Sequence, residues 1–159
     1  MHIVYLLLGS NIGDSNAALQ RAEKNIEETV GHIKKRSSVY RTAAWGNSDQ
    51  PDFLNRVIII ETCFTAWETL EKILETENRM GRTRTFKNEP RLIDIDILFF
   101  DDEIINTKDL SVPHPEIQNR RFVLEPLNEI APSFLHPILK KTSAEMLTEC
   151  GDHLNVQKI

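Results

Sequence analysis

Cysteine is nearly missing from this chain: Cys63 and Cys150 are the only two, and they stand at no paired or metal-ligating spacing. That excludes a disulfide-stapled fold and makes a reducing, cytoplasmic compartment the expectation. Long hydrophobic runs are missing too. The most apolar stretch, IVYLLLG near the N-terminus, is too short and wrongly flanked for a signal peptide or a membrane span, so no membrane partner is expected. Basic residues are not in excess: 19 Lys and Arg face 24 Asp and Glu, a net charge of −5. That argues against a general nucleic-acid binder, which carries a basic surface. No second histidine stands at ligand spacing from His114, which disfavours zinc. GSNIGD lacks the Lys-Ser/Thr of a P-loop, and no Ser/His/Asp set or reactive-cysteine context emerges. Without repeats, low-complexity tracts or a linker, 159 residues at 40% apolar content are expected to form one domain over 1–159, a monomer by size.

What is present is a regular alternation of elements. Residues 2–9 form a continuous apolar run, as in a central strand covered on both faces. GSNIGD then turns the chain, and Asp14 or Ser15 caps a helix with the apolar stripe Leu19, Ala22, Ile26 and Val30. Residues 32–41 are β-prone but polar, and 42–51 are turn-rich. A strand is predicted over 53–64. Thr65-Ala66-Trp67-Glu68 is a capping box opening a second helix with the stripe Ala66, Leu70, Ile73, Leu74 and Met80, stopped by Gly81. Residues 92–100 give the next strand and 103–106 a short extension. A helical region near 120–130 and a helix from about Ser143 to Cys150 follow. The order β-α-β-β-α-β predicts an α+β, ferredoxin-like antiparallel sheet with helices on one face, a C-terminal helical appendage, and the other face free for binding.

Chemistry concentrates in residues 79–100, where Arg79, Arg82, Arg84, Lys87 and Arg91 precede a strand carrying Asp94 and Asp96. Alternation puts Ile93, Ile95, Ile97 and Phe99 on one apolar face, so Asp94 and Asp96 share the other, with Cα atoms roughly 7 Å apart. Two carboxylates so spaced can hold a pair of Mg2+ ions, which favour a few carboxylates plus phosphate oxygens and water. They can equally pair with Arg82, Arg84 or Arg91 in a structural network. The arginines suit phosphate, which guanidinium binds bidentately; a solvated charged loop is the alternative. Glu77, on the apolar stripe of the second helix, needs a partner: it can salt-bridge to that loop, order its arginines around nucleotide, or contact bound metals through water. Phe53 and Asn55 share a strand face and can stack on and hydrogen-bond a flat heterocycle, or belong to the core. Phe122 is either a second stacking surface or an ordinary core residue. His114, held between prolines, is either an ordinary loop histidine or a donor to phosphate, and Arg120 and Arg121 can supply more phosphate contacts.

As an ordered series, LGSNIGD, SSVYRTAAWG, QPDFLNRVI, the step from Glu77 to Arg82, PRLIDIDILFF, VPHP and NRRFVLEPLNEIAP resembles the 6-hydroxymethyl-7,8-dihydropterin pyrophosphokinases of folate biosynthesis. The resemblance covers nearly the whole chain and implies a ferredoxin-like fold. The implied reaction transfers the β,γ-pyrophosphoryl unit of ATP to the pterin hydroxymethyl group and releases AMP. By similarity, Asp94 and Asp96 hold two Mg2+ ions, and Arg82 and Arg91 stabilise the transferring phosphates. Glu77, Arg84, Ile97, Ser111, His114 and Arg120 are implied on the ATP side. Thr42, Ala43, Trp45, Phe53, Asn55 and Phe122 are implied around the pterin. The chain departs from the family pattern at Asn88-Glu89, where a Trp-Gly is frequent, and at Trp45, Asp109 and Pro115. Two other readings compete on residues alone: a two-metal nucleotidyltransferase, and an RNA- or ligand-binding ferredoxin-like module, whose RNA form needs an RNP1-like strand and a basic sheet face, whereas 53–64 has the wrong composition and the cations sit in a loop.

Overall fold

The fold is described from a computed structural model, for residues 1–43, 51–81 and 92–159. Strand β1 (His2–Ser10) lies between β4 (Phe53–Thr62) and β5 (Asp94–Phe100), antiparallel to both. The polar stretch 32–41 is two short strands, β2 (His32–Arg36) and β3 (Tyr40–Thr42), both paired with β4. The order β5-β1-β4-β2/β3 is the expected ferredoxin-like arrangement, with the second strand broken in two.

Helices α1 (Ser15–Thr29) and α2 (Ala66–Arg79) pack on one face of this sheet, over a core that includes Val4, Leu6, Ile58, Ile60, Ile95 and Ile97. Both start where local chemistry demands. The Asp14 carboxylate accepts from the Ala17 amide at 3.1 Å, and Thr65 and Glu68 form a reciprocal capping box. Gly81, at φ +83, takes the left-handed turn that ends α2. The α1 stripe is buried as its periodicity demands. On α2 the expectation for Leu74 fails: it is exposed, and Thr69, Thr76 and Glu77 are buried instead. Glu77 reaches the sheet at the Ile95 amide, and the Thr76 hydroxyl meets Asn25 of α1.

The opposite face is less free than the sequence reading held. Helices α3 (Arg121–Ile130) and α4 (Ser143–Glu149) cover much of it, over a second core that includes Tyr5, Leu7, Val57, Ile59, Leu98 and Phe99. Phe99 is therefore not on the α1/α2 side. Pairing runs Tyr5 with Phe99 and then Leu6 with Ile97, so Leu98 is an extra residue on β5. This bulge turns both Leu98 and Phe99 towards α3 and returns Phe100 to the first core. Residues 105–106 (β6) pair with Ser111–Val112 (β7) in a separate hairpin. A last strand, β8 (Val156–Lys158), absent from the sequence reading, pairs with β3. Among the described residues no helix is long and apolar enough to cross a membrane.

Beside α4, His136 is 3% exposed, and its Nδ1 accepts from the amides of Ile138 and Leu139 at 3.2 and 3.1 Å. Burial pushes its pKa below the ordinary 6.5. The unfolded chain then binds the extra proton first, so this contribution is complete above pH 6.5 and lost as pH falls below it. The urea midpoint is expected to drop between about pH 7 and about pH 5, and His136→Ala to flatten part of that drop. An unchanged slope in the variant would show that His136 is not the group titrating.

Candidate active site

Where α3 and α4 stop covering the sheet, side chains from four strands meet. Directly opposed residues in an antiparallel sheet point to the same side. Tyr40 pairs with Asn55, Asn55 with Gly9, and Gly9 with Asp94. The next row on the β5 side pairs Val57, Leu7 and Asp96, and on the other side Thr42 pairs with Phe53. Asp94 and Asp96 thus share a face with Asn55 and Phe53, opposite Ile93, Ile95 and Ile97, as the alternation predicts. Both carboxylates are half-buried.

The centre of the row is Gly9. A Cβ there would lie 2.7 Å from Asn55 Oδ1 and 3.8 Å from the Phe53 ring. The absent side chain lets the buried Asn55 amide lie across β1 towards the Asp pair. The sequence reading took the following loop as a turn and assigned Gly9 no role; only its pairing reveals one.

Glu77 is 1% exposed, and its Oε2 accepts from the Ile95 amide at 2.8 Å. Ile95 stands between the two aspartates, so the acid flagged on the apolar stripe of α2 pins the backbone that carries them. Arg82, Arg84, Arg91 and Trp45, expected in the phosphate and pterin sites, lie outside the described residues.

Beside Asp96 opens a cleft of about 680 Å³ between α2 and the β6–β7 hairpin. Its floor is Ile95–Ile97, one wall is Trp67, Leu70 and Leu74 from α2, and the other is Lys108–Ser111. His114 closes one end. The structure therefore brings Ile97, Ser111 and His114 together as expected. It adds Trp67, 47% exposed, whose position on the outer stripe the sequence reading took only as part of a cap. Exposed Leu74, misplaced by that reading, is the cleft wall.

His114 Nδ1 accepts from the Glu116 amide at 3.1 Å. Burial, then the Arg120 charge, lowers its pKa against the opposing pull of Glu116 and Asp94. The ring is thus neutral at pH 7, with its proton on Nε2, available to a ligand oxygen. The Arg120 guanidinium lies 5.9 Å from the Phe122 ring centroid.

On the other side of the row, Phe53 and Phe122 are half-buried, Ala43 is exposed, and Asn55 is 3% exposed. Thr42 is buried and its hydroxyl donates to the Asn155 carbonyl at 3.2 Å. A flat, partly polar surface and an elongated cleft therefore flank a pair of carboxylates. The donor set at that junction, two hard oxygen groups on one strand face, fits Mg2+ better than a soft metal.

Residues 5–132 match the family model described as 7,8-dihydro-6-hydroxymethylpterin-pyrophosphokinase (HPPK). The 2-amino-4-hydroxy-6-hydroxymethyldihydropteridine pyrophosphokinase of Aquifex aeolicus is 45% identical over 149 residues, covering 94% of this chain and 92% of that protein. The protein of the same name from Bacillus subtilis is 43% identical over 130 residues, covering 81% of this chain and 78% of its own. Among solved structures, Plasmodium falciparum HPPK-DHPS matches with a TM-score of 0.77 at 19% identity, a likeness of fold. That match covers 94% of this chain and only 43% of the longer one. The chain belongs to the 7,8-dihydro-6-hydroxymethylpterin-pyrophosphokinase family, enzymes that transfer pyrophosphate from ATP to hydroxymethyldihydropterin in folate biosynthesis.

Proposed function

We propose that this chain performs the transfer at the Asp94–Asp96 junction, with ATP in the α2 cleft and the pterin over the Asn55–Phe53 surface. The single observation that carries the placement is the shared face of Asn55, Gly9, Asp94 and Asp96, with the nucleotide-sized cleft opening beside Asp96. In the reaction the pterin hydroxymethyl oxygen attacks the β-phosphorus of ATP. The bond from that phosphorus to the α,β-bridging oxygen breaks, AMP leaves, and the hydroxyl proton is lost. The transfer needs in-line positioning and charge stabilisation rather than a protein nucleophile.

Asp94 and Asp96 are the residues to hold two Mg2+ ions, which when bound neutralise phosphate charge and orient the attacking oxygen. Arg82 and Arg91 hold the transferring phosphates, and Arg84 and Arg120 add contacts to ATP. His114 donates from Nε2 to a phosphate oxygen. Ile97 and Ser111 lie against the nucleoside. Glu77 serves the ATP side by fixing Ile95 between the two aspartates. Asn55 reads the polar edge of the pterin, Phe53 and Phe122 take its faces, and Thr42, Ala43 and Trp45 complete that pocket.

Incubation with Mg2+, ATP and hydroxymethyldihydropterin is expected to yield AMP only when the pterin is present. ADP, free pyrophosphate or pterin-independent turnover would refute the assignment. A nucleotidyltransferase on the same architecture would release pyrophosphate, so this one measurement separates the two chemistries.

A further inference from the structure

The region matched by the family model ends at residue 132, yet the residues after α4 return to the proposed pterin site. The Asp152 carboxylate accepts from the Arg121 amide through Oδ2 at 3.0 Å and from the Leu154 amide through Oδ1 at 2.9 Å. Arg121 is the first residue of α3 and adjoins Phe122. Three residues after Asp152, the Asn155 carbonyl accepts the Thr42 hydroxyl. Val156, Gln157 and Lys158 then pair with Thr42, Arg41 and Tyr40, and the Ile159 amide donates to Val39 at 2.9 Å.

We propose that residues 152–158 are a strap that sets the width of the pterin slot. The inference rests on the pterin placement given above. One end of the strap holds the start of α3, which carries Phe122. The other holds β3, whose Thr42 pairs with Phe53. These are the two aromatic faces assigned to the heterocycle, and they sit on different layers of the fold. A flat ring gains most from stacking when an aromatic lies close to each of its faces, so the separation of α3 from the β3–β4 edge controls pterin affinity. Neither Asp152 nor Asn155 is placed against substrate; both act as positioning residues. Arg121 is tied at two points, since its guanidinium also pairs with Glu125 at 3.0 Å within α3. Only the Asp152 contact links it to the strap.

The test is steady-state kinetics on the full-length protein with Asp152→Ala, Asp152→Asn and Gln157→Pro. Asp152→Ala removes the acceptor for both amides, and Gln157→Pro interrupts β8 at its middle residue. The KM for the pterin is expected to rise about tenfold in Asp152→Ala and in Gln157→Pro, with kcat and the KM for ATP within about twofold of the parent. Asp152→Asn keeps one of the two acceptor oxygens and is expected to give a pterin KM between those of the parent and Asp152→Ala. Equal changes in both KM values, or an unchanged pterin KM in Asp152→Ala at an intact unfolding midpoint, would overturn the strap. Should Gln157→Pro fail to fold, the Asp152 pair decides alone. Absence of pterin-dependent AMP from the parent protein would instead defeat the underlying function, so the two failures are distinguishable.

Discussion

Asp96→Ala lowers pterin-dependent AMP formation by at least about a thousandfold while leaving the fold intact. The half-buried side chain shares a sheet face with Asp94 and lines the cleft between α2 and the β6–β7 hairpin. Losing a carboxylate there would weaken the hold on Mg2+, whose neutralisation of phosphate charge is worth several kcal/mol, and each ~1.4 kcal/mol is a factor of ten in rate. Stability is expected to change far less than activity, because the neighbouring Ile95 and Ile97 stay packed in the core. The two readouts, AMP production and the urea midpoint, are therefore expected to separate. If activity persists within a few-fold, the metal assignment is wrong. If activity and stability fall together, Asp96 is a structural residue.

Gly9→Ala is the second large effect, and it acts through Asn55. The new methyl carbon would stand 2.7 Å from Asn55 Oδ1, closer than such contacts occur, so the amide must swing away. Asn55 is 3% exposed and paired across the ladder, which leaves its side chain little room. A buried amide turned from its ligand forfeits about 1–3 kcal/mol, so the pterin KM should rise between about fivefold and about a hundredfold. Overpacking of this size also costs about 1–3 kcal/mol of stability unless the side chain yields easily. The KM for ATP is expected to stay near the parent value, because the cleft lies across β5 from this contact. A KM for the pterin unchanged in Gly9→Ala would show that Asn55 does not read the heterocycle.

Much of this site was legible before any coordinates. The period of two in 92–97 placed Asp94 and Asp96 opposite the isoleucines because strand geometry is local. The same reasoning failed three residues later. The bulge at Leu98 arises from how β5 pairs with β1, and no property of LFF alone announces it. Glu77 was conspicuous as an acid on an apolar stripe, but its partner, the Ile95 amide, is supplied by another element. Trp67 and Leu74 were read through helix periodicity as cap and core. The packing angle of α2 makes them a cleft wall. The C-terminal VQK carries too little pattern to read as a strand, and becomes one only because β3 offers it an edge.

The sequence by itself determined the helix caps, the strand and helix order, the carboxylate pair, and through the ordered motifs the family and its reaction. These follow from interactions between residues a few positions apart, or from signatures kept in linear order. Tertiary structure alone decided that Gly9 makes room for Asn55, that α3 and α4 leave one end of the sheet face open, and that the C-terminal residues join β3 to α3. Those outcomes depend on cross-strand register and on which buried surfaces meet, contacts between residues tens of positions apart whose energies no local pattern encodes.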